Sequence, residues 1–279
     1  MRAIRLTALL AASAVAVMTA NAAFAQDLPA SAGEAKARLD ASPRHGEWVK
    51  YDAGAGDSVT AWVVYPERSD KAPVMVVIHE IFGLTDWVRA VADQLAAEGF
   101  IAIAPDLLSG KGSGGGGTES FDSQSVRRAI RDLDWDEIVR RLNGAADYAK
   151  NLPAARPVFA SIGFCWGGSS SFRYATAQPA LDAAVVYYGT SPSSKDELAK
   201  ITGAVLGLYG GDDARVNATI EPAEQEMVRL NKVYEYEIFE GAGHGFLRQQ
   251  SGRDGANMLA TEKAWPLTVT FLKAELGEK

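Results

Sequence analysis

The chain has 279 residues, enough for one sizeable hydrophobic core and a single domain. Apolar residues make up 47% and charged residues 23%, the ordinary balance of a soluble globular protein. A formal charge of −7 argues against a nucleic-acid partner, which would call for a basic face, but leaves room for a small anionic substrate held by local arginines.

The first 25 residues differ from the rest. Arg2 and Arg5 precede an apolar stretch from Leu6 to about Ala20, and Ala23-Phe24-Ala25 forms a small-x-small site. That is the pattern of a cleaved secretory signal, with a retained anchor as the alternative, and the run is short for a bilayer span of roughly 20 residues. Cleavage after Ala25 removes two arginines and no acids, taking the formal charge from −7 to −9. The mature chain then starts at Gln26 in a periplasmic or secreted compartment, with no stable membrane association. Exported proteins often use disulfides, but the single cysteine, Cys165, excludes an internal one. A lone thiol in an oxidising compartment is either a buried apolar filler or functional.

Residues 26–54 read as a polar, irregular lead-in to a domain over 55–279. Short β-branched runs follow: Val59 to Tyr65, Val74 to Ile78, Phe100 to Ala104, Val158 to Ile162, Ala183 to Tyr188, Val205 to Tyr209 and Val233 to Phe239. Between them, helical spacing marks Trp87 to Glu98 and Ser125 to Lys150, and Met258 to Leu276 closes the chain. The alternation predicts an α/β fold, a mostly parallel sheet with helices on both faces. Ligands in such folds bind at the carboxyl ends of the strands. Ser109 to Gly117 is low in complexity, and Lys111 precedes its glycine run, the wrong order for a phosphate loop. A flexible surface loop is expected there.

The run Val158 to Ile162 leads into Gly163-Phe164-Cys165-Trp166-Gly167-Gly168. This is a G-x-nucleophile-x-G elbow with cysteine as the nucleophile, the sharp strand-to-helix turn of an α/β-hydrolase fold. Glycine two residues to either side lets strand and helix approach closely. The Trp166 N–H, at a helix N-terminus, offers an oxyanion donor and is expected to lower the thiol pKa.

A base should follow in the order nucleophile, acid, histidine. Of three histidines, only His244 follows Cys165, in Gly243-His244-Gly245. The run ending at Tyr209 enters Gly210-Gly211-Asp212-Asp213, where either aspartate could orient the imidazole. Glu80 stands at the end of a buried strand, an unusual place for an unpaired carboxylate. It could accept the thiol proton or control the thiol rotamer, and the Ile81 N–H beside it would serve as the second oxyanion donor.

With these residues assembled, the chain resembles the dienelactone hydrolase (carboxymethylenebutenolidase-like) family from about residue 55 to 275. The resemblance rests on Glu80-Ile81-Phe82-Gly83, Ala104-Pro105-Asp106-Leu107, the cysteine elbow, Gly210-Gly211-Asp212-Asp213 with Val216, and His244-Gly245-Phe246. It implies a Cys165-Asp213-His244 triad, with Glu80 activating the cysteine when substrate binds. It also implies oxyanion donors at Ile81 and Trp166, and Arg248 holding a substrate carboxylate. A second substrate arginine has no residue-by-residue match; Arg127 and Arg128 are candidates. Arg215, Asn217 and the glycine loop also depart from the family pattern. The implied activity is hydrolysis of a small lactone or ester through a thioester, by a monomer that needs no metal or organic cofactor. The rival readings are a general exported carboxylesterase acting on neutral esters and a non-catalytic binding protein on the same scaffold.

Overall fold

β-Branched runs become strands because their side chains pack on both faces of a pleated surface. The computed structural model describes residues 28–277. Its strands are β1 (Gly46–Asp52), β2 (Ser58–Val64), β3 (Ala72–Ile78), β4 (Ile101–Pro105), β5 (Ala155–Phe164), β6 (Ala183–Tyr187), β7 (Ala204–Gly210) and β8 (Tyr234–Phe239). They form one sheet in the order β1-β2-β4-β3-β5-β6-β7-β8. β1 and β2 join antiparallel at one edge, and every pair from β4 to β8 is parallel. The helices are α1 (Ala35–Asp40), α2 (Asp86–Ala97), α3 (Ser125–Arg131), α4 (Trp135–Lys150), α5 (Trp166–Ala177), α6 (Lys195–Leu198), α7 (Ala214–Asn217), α8 (Ile220–Arg229) and α9 (Ala256–Glu275).

The all-apolar β3 shows why its sequence lacks alternation. Met75 and Val77 enter one core layer with Val91 and Leu95 of α2 and Trp265 of α9. Val74, Val76 and Ile78 enter the other, with Leu142 of α4, Phe172 of α5 and Met227 of α8. Burying one such side chain stabilises the fold by about 1.5–3 kcal/mol, so a central strand with no wet face has no room for polar residues.

Three expectations are corrected. The lead-in is not irregular: it carries α1 and the edge strand β1, whose Tyr51 faces Val59 of β2. An edge strand packs one face only, and its polar residues hid it. The segment from Ser125 to Lys150 is two helices, because Asp134 takes the N-cap of α4 and accepts from the Asp136 and Glu137 N–H groups. The glycine loop is tied down rather than loosely hung. Asp106 Oδ2 accepts from the Thr118 N–H at 2.7 Å, and its Oδ1 accepts from the Thr118 hydroxyl at 2.7 Å. A Cβ on Gly117 would meet Asp106 Oδ2 at 2.1 Å. The loop's glycines therefore allow close approach.

The first described residues strap across the sheet edge that carries the site. Gln250 donates to the Pro29 carbonyl at 2.7 Å, Trp87 Nε1 donates to the Ala30 carbonyl at 3.0 Å, and the Ala32 N–H donates to the Arg248 carbonyl at 3.0 Å.

Candidate active site

β5 runs straight into Cys165, whose φ of +56° and ψ of −115° no side-chain-bearing residue adopts without strain. The flanking glycines make the turn possible. A Cβ on Gly163 would lie 1.9 Å from the Gly167 carbonyl oxygen, and one on Gly167 would lie 2.3 Å from the Ile78 and His79 oxygens. The elbow spacing read from the sequence is therefore a steric requirement.

The thiol does not behave as the helix N-terminus alone implied. Its pKa is raised, first by burial and then by the negative charge of Glu80. The Trp166 N–H and the Arg215 guanidinium pull the other way without prevailing, and Asp213 adds to the rise. The expected lowering is corrected: desolvation outweighs the dipole, and Cys165 rests as the neutral thiol.

Glu80 is 3% exposed. Burial pushes its carboxyl up to about 7, against the opposing pull of Arg248. Its Oε2 lies 3.2 Å from Arg248 Nε, yet neither atom makes an aligned hydrogen bond. The contact is thus electrostatic, with both hydrogen-bonding capacities unspent. The Arg248 guanidinium also lies over the Phe82 ring at 4.9 Å, and Arg127 reaches the same ring at 5.0 Å. Of the two arginines offered by the sequence for a second cation, Arg127 is the one brought to the Phe82 ring.

His79, the residue before Glu80, fixes this corner. It is fully buried; its Nδ1 donates to the Glu80 carbonyl at 2.8 Å, and its Nε2 accepts from the Leu107 N–H at 3.3 Å. The ring stacks on Trp166 at 5.7 Å. Burial lowers its pKa and holds it neutral. It thus braces the backbone between the two expected oxyanion donors. Among the described residues, no acceptor takes the Ile81 N–H.

His244 sits on the loop after β8, and its Nδ1 donates to Asp213 Oδ2 at 2.5 Å. Asp212 points away and pairs with Arg253 at 2.9 Å. The structure thereby separates the two aspartates that the sequence left open. The acid and histidine loops touch: a Cβ on Gly210 would lie 2.6 Å from the Ala242 and Gly243 oxygens.

Sequence reasoning passed over Tyr188. It follows β6 at the same sheet edge, is fully buried, and sets its ring edge against His244 at 5.3 Å. A Tyr-Tyr-Gly run at the carboxyl end of a parallel strand was the available signal.

A parallel sheet with an antiparallel edge and a strained strand-to-helix elbow defines an α/β-hydrolase. The dienelactone hydrolase family profile matches residues 59–276, and the chain belongs to that family. A Saccharolobus solfataricus protein assigned as a carboxymethylenebutenolidase is 29% identical over 257 residues, covering 81% of this chain and 97% of its own. An Escherichia coli K12 protein with the same assignment is 28% identical over 236 residues, covering 80% of this chain and 85% of its own. Among solved structures, a dienelactone hydrolase-like promiscuous phosphotriesterase from metagenomic libraries superposes with a TM-score of 0.71 at 26% identity, covering 84% of this chain and 98% of its own. The dienelactone hydrolase of Anabaena variabilis shares the fold, with a TM-score of 0.63 at 19% identity over 84% of this chain and 99% of its own. The protein is a hydrolase acting on a small molecule, and among the described residues no helix is long and apolar enough to cross a membrane.

Proposed function

We propose that this enzyme hydrolyses a small lactone or ester bearing a carboxylate, through a thioester on Cys165. The observation that carries the reading is the buried Glu80, in charge contact with Arg248 and acting electrostatically on the thiol. A substrate carboxylate competes with Glu80 for Arg248, with Arg127 across Phe82 as a second cation. Glu80 then takes the thiol proton, becoming a carboxylic acid as Cys165 becomes a thiolate.

The thiolate sulfur bonds to the carbonyl carbon, and the oxygen that gains the charge faces the Ile81 and Trp166 N–H groups. The C–O bond to the leaving group breaks, leaving a thioester and an enolate or alkoxide, which takes up the proton held on Glu80. His244, held by Asp213, then removes a proton from water as it attacks the thioester. The acid is released, and the thiolate takes up the proton held on His244.

The nucleophile suits the substrate class. A thiolate leaves as readily as it attacks, so the adduct goes forward only when the departing oxygen is stabilised, as in an enol-lactone. No metal or organic cofactor is needed for these steps.

Cys165→Ala and His244→Ala should each abolish turnover of a small activated ester, and undiminished activity in either refutes the assignment. Arg248→Ala should damage carboxylate-bearing lactones about ten- to hundredfold more than neutral esters, the worth of one charged hydrogen bond. Equal damage points instead to a general carboxylesterase.

We further propose export, cleavage after Ala25, and action as a monomer. The leader pattern supports the first two, and cleavage there leaves every described residue in place. The N-terminal sequence and solution mass of the exported protein test these points.

A further inference from the structure

Glu80 Oε2, Arg248 Nε and the Tyr188 hydroxyl are all buried without a hydrogen-bond partner among the described residues. One is an acceptor and two are donors. Natural folds rarely leave such groups unpaired, and an unpaired group at an active site points to a partner gained during the reaction.

Tyr188 is also strained. Its φ is +41°, left-handed for a bulky residue. It is held there by its N–H, which donates to the Leu208 carbonyl at 2.9 Å, and by ring contacts with Tyr187, Phe246 and His244. Burial raises the phenol well above its ordinary value; the charge of Glu80, and that of Cys165 once it is ionised, push the same way while Arg248 opposes them. The hydroxyl therefore lies within the field of all three groups and remains a donor throughout the working pH range.

We infer that Tyr188 is a positioning residue for Glu80: once a substrate anion draws Arg248 away, the buried carboxylate takes the Tyr188 hydroxyl as its donor and stays ionised to receive the Cys165 proton. The inference rests on the proposed role of Glu80 as the thiol's base. Without that donor, a carboxylate that has lost its cation in a buried site takes a proton from solvent and ceases to be a base. The charged and titratable groups facing Glu80 are Arg248 from the loop after β8, Cys165 at the head of α5 and Tyr188 after β6. Arg127 lies across Phe82, the His244–Asp213 pair lies near Cys165, and His79 is held neutral beside it. Tyr188 alone among them has an unspent donor and cannot be recruited by a substrate anion as an ion pair.

The test is Tyr188→Phe in the mature protein. Removing an unpaired buried hydroxyl leaves no cavity to speak of, so Tm should equal or exceed that of the parent. For a carboxylate-bearing ester, kcat at pH 7 should fall about ten- to hundredfold, and the acid limb of the kcat profile should rise by about one to two pH units. The acid limb of kcat/KM reports the free enzyme, where the hydroxyl is unpaired, and should not move. A fixed kcat limb, a parallel shift of both limbs, or a fall in Tm overturns the inference.

Alkylation of Cys165 gives a reading independent of ester hydrolysis. Sulfur bonds to carbon, iodide leaves, and the thiol proton passes to Glu80. Tyr188→Phe should slow inactivation by the anion iodoacetate about tenfold or more while leaving neutral iodoacetamide within about twofold. Equal effects on both reagents refute the positioning role even where ester turnover behaves as proposed.

Discussion

Glu80 should make the fold weaker as the pH rises, and Glu80→Gln should remove that weakness. The unfolded carboxyl has its ordinary value of 4.5, while burial raises the folded one to about 7. Between those values the native state holds a proton that the unfolded state has lost, so stability falls as the pH rises and levels off above about pH 7. Each pH unit of that gap is worth about 1.4 kcal/mol, so keeping Glu80 ionised costs about 3 kcal/mol at pH 8 and almost nothing at pH 4.5. Glutamine keeps the shape without the charge. Thermal or urea unfolding of parent and variant should therefore coincide near pH 4.5 and separate by about 3 kcal/mol at pH 8. For a domain of this size that is roughly 6–12 °C in Tm. The variant, though more stable, should be a poor hydrolase. A gain of equal size at both pH values, or a loss at pH 8, refutes the argument that burial governs this carboxyl.

Two further outcomes follow from the geometry. Asp213→Asn should lower kcat about 10³–10⁴-fold by misorienting the His244 imidazole, whereas Asp212→Asn should leave kcat within about twofold; steady-state kinetics of the pair checks which aspartate works. Gly163→Ala forces a methyl to within 1.9 Å of the Gly167 oxygen, a backbone clash that should cost more than about 3 kcal/mol and read out as failed folding or a collapsed Tm.

The site was legible wherever the chemistry is local. Gly163, Cys165 and Gly167 mark an elbow because one turn must satisfy one steric rule, and His244 is the sole histidine after Cys165. What depended on distant segments stayed hidden. Asp212 and Asp213 are chemically alike, and only the packing of the Gly210 turn against the Gly243 loop decides which faces His244. Tyr188 reads as ordinary core until the structure shows its left-handed backbone and a buried hydroxyl with no hydrogen-bond partner among the described residues. β1 was missed because an edge strand can be polar along one face, and the strap from Leu28 was missed because its bonds run to Trp87 and Gln250, far off in sequence.

By itself, the sequence determined the α/β architecture and the strand-to-helix elbow at Cys165, because periodicity and glycine spacing are properties of the chain alone. The state of Cys165 was decided only by tertiary structure. Helix position argued for a lowered thiol pKa, but burial and the neighbouring Glu80 raise it. Desolvation and through-space charge depend on what surrounds a group, and sequence spacing does not record that.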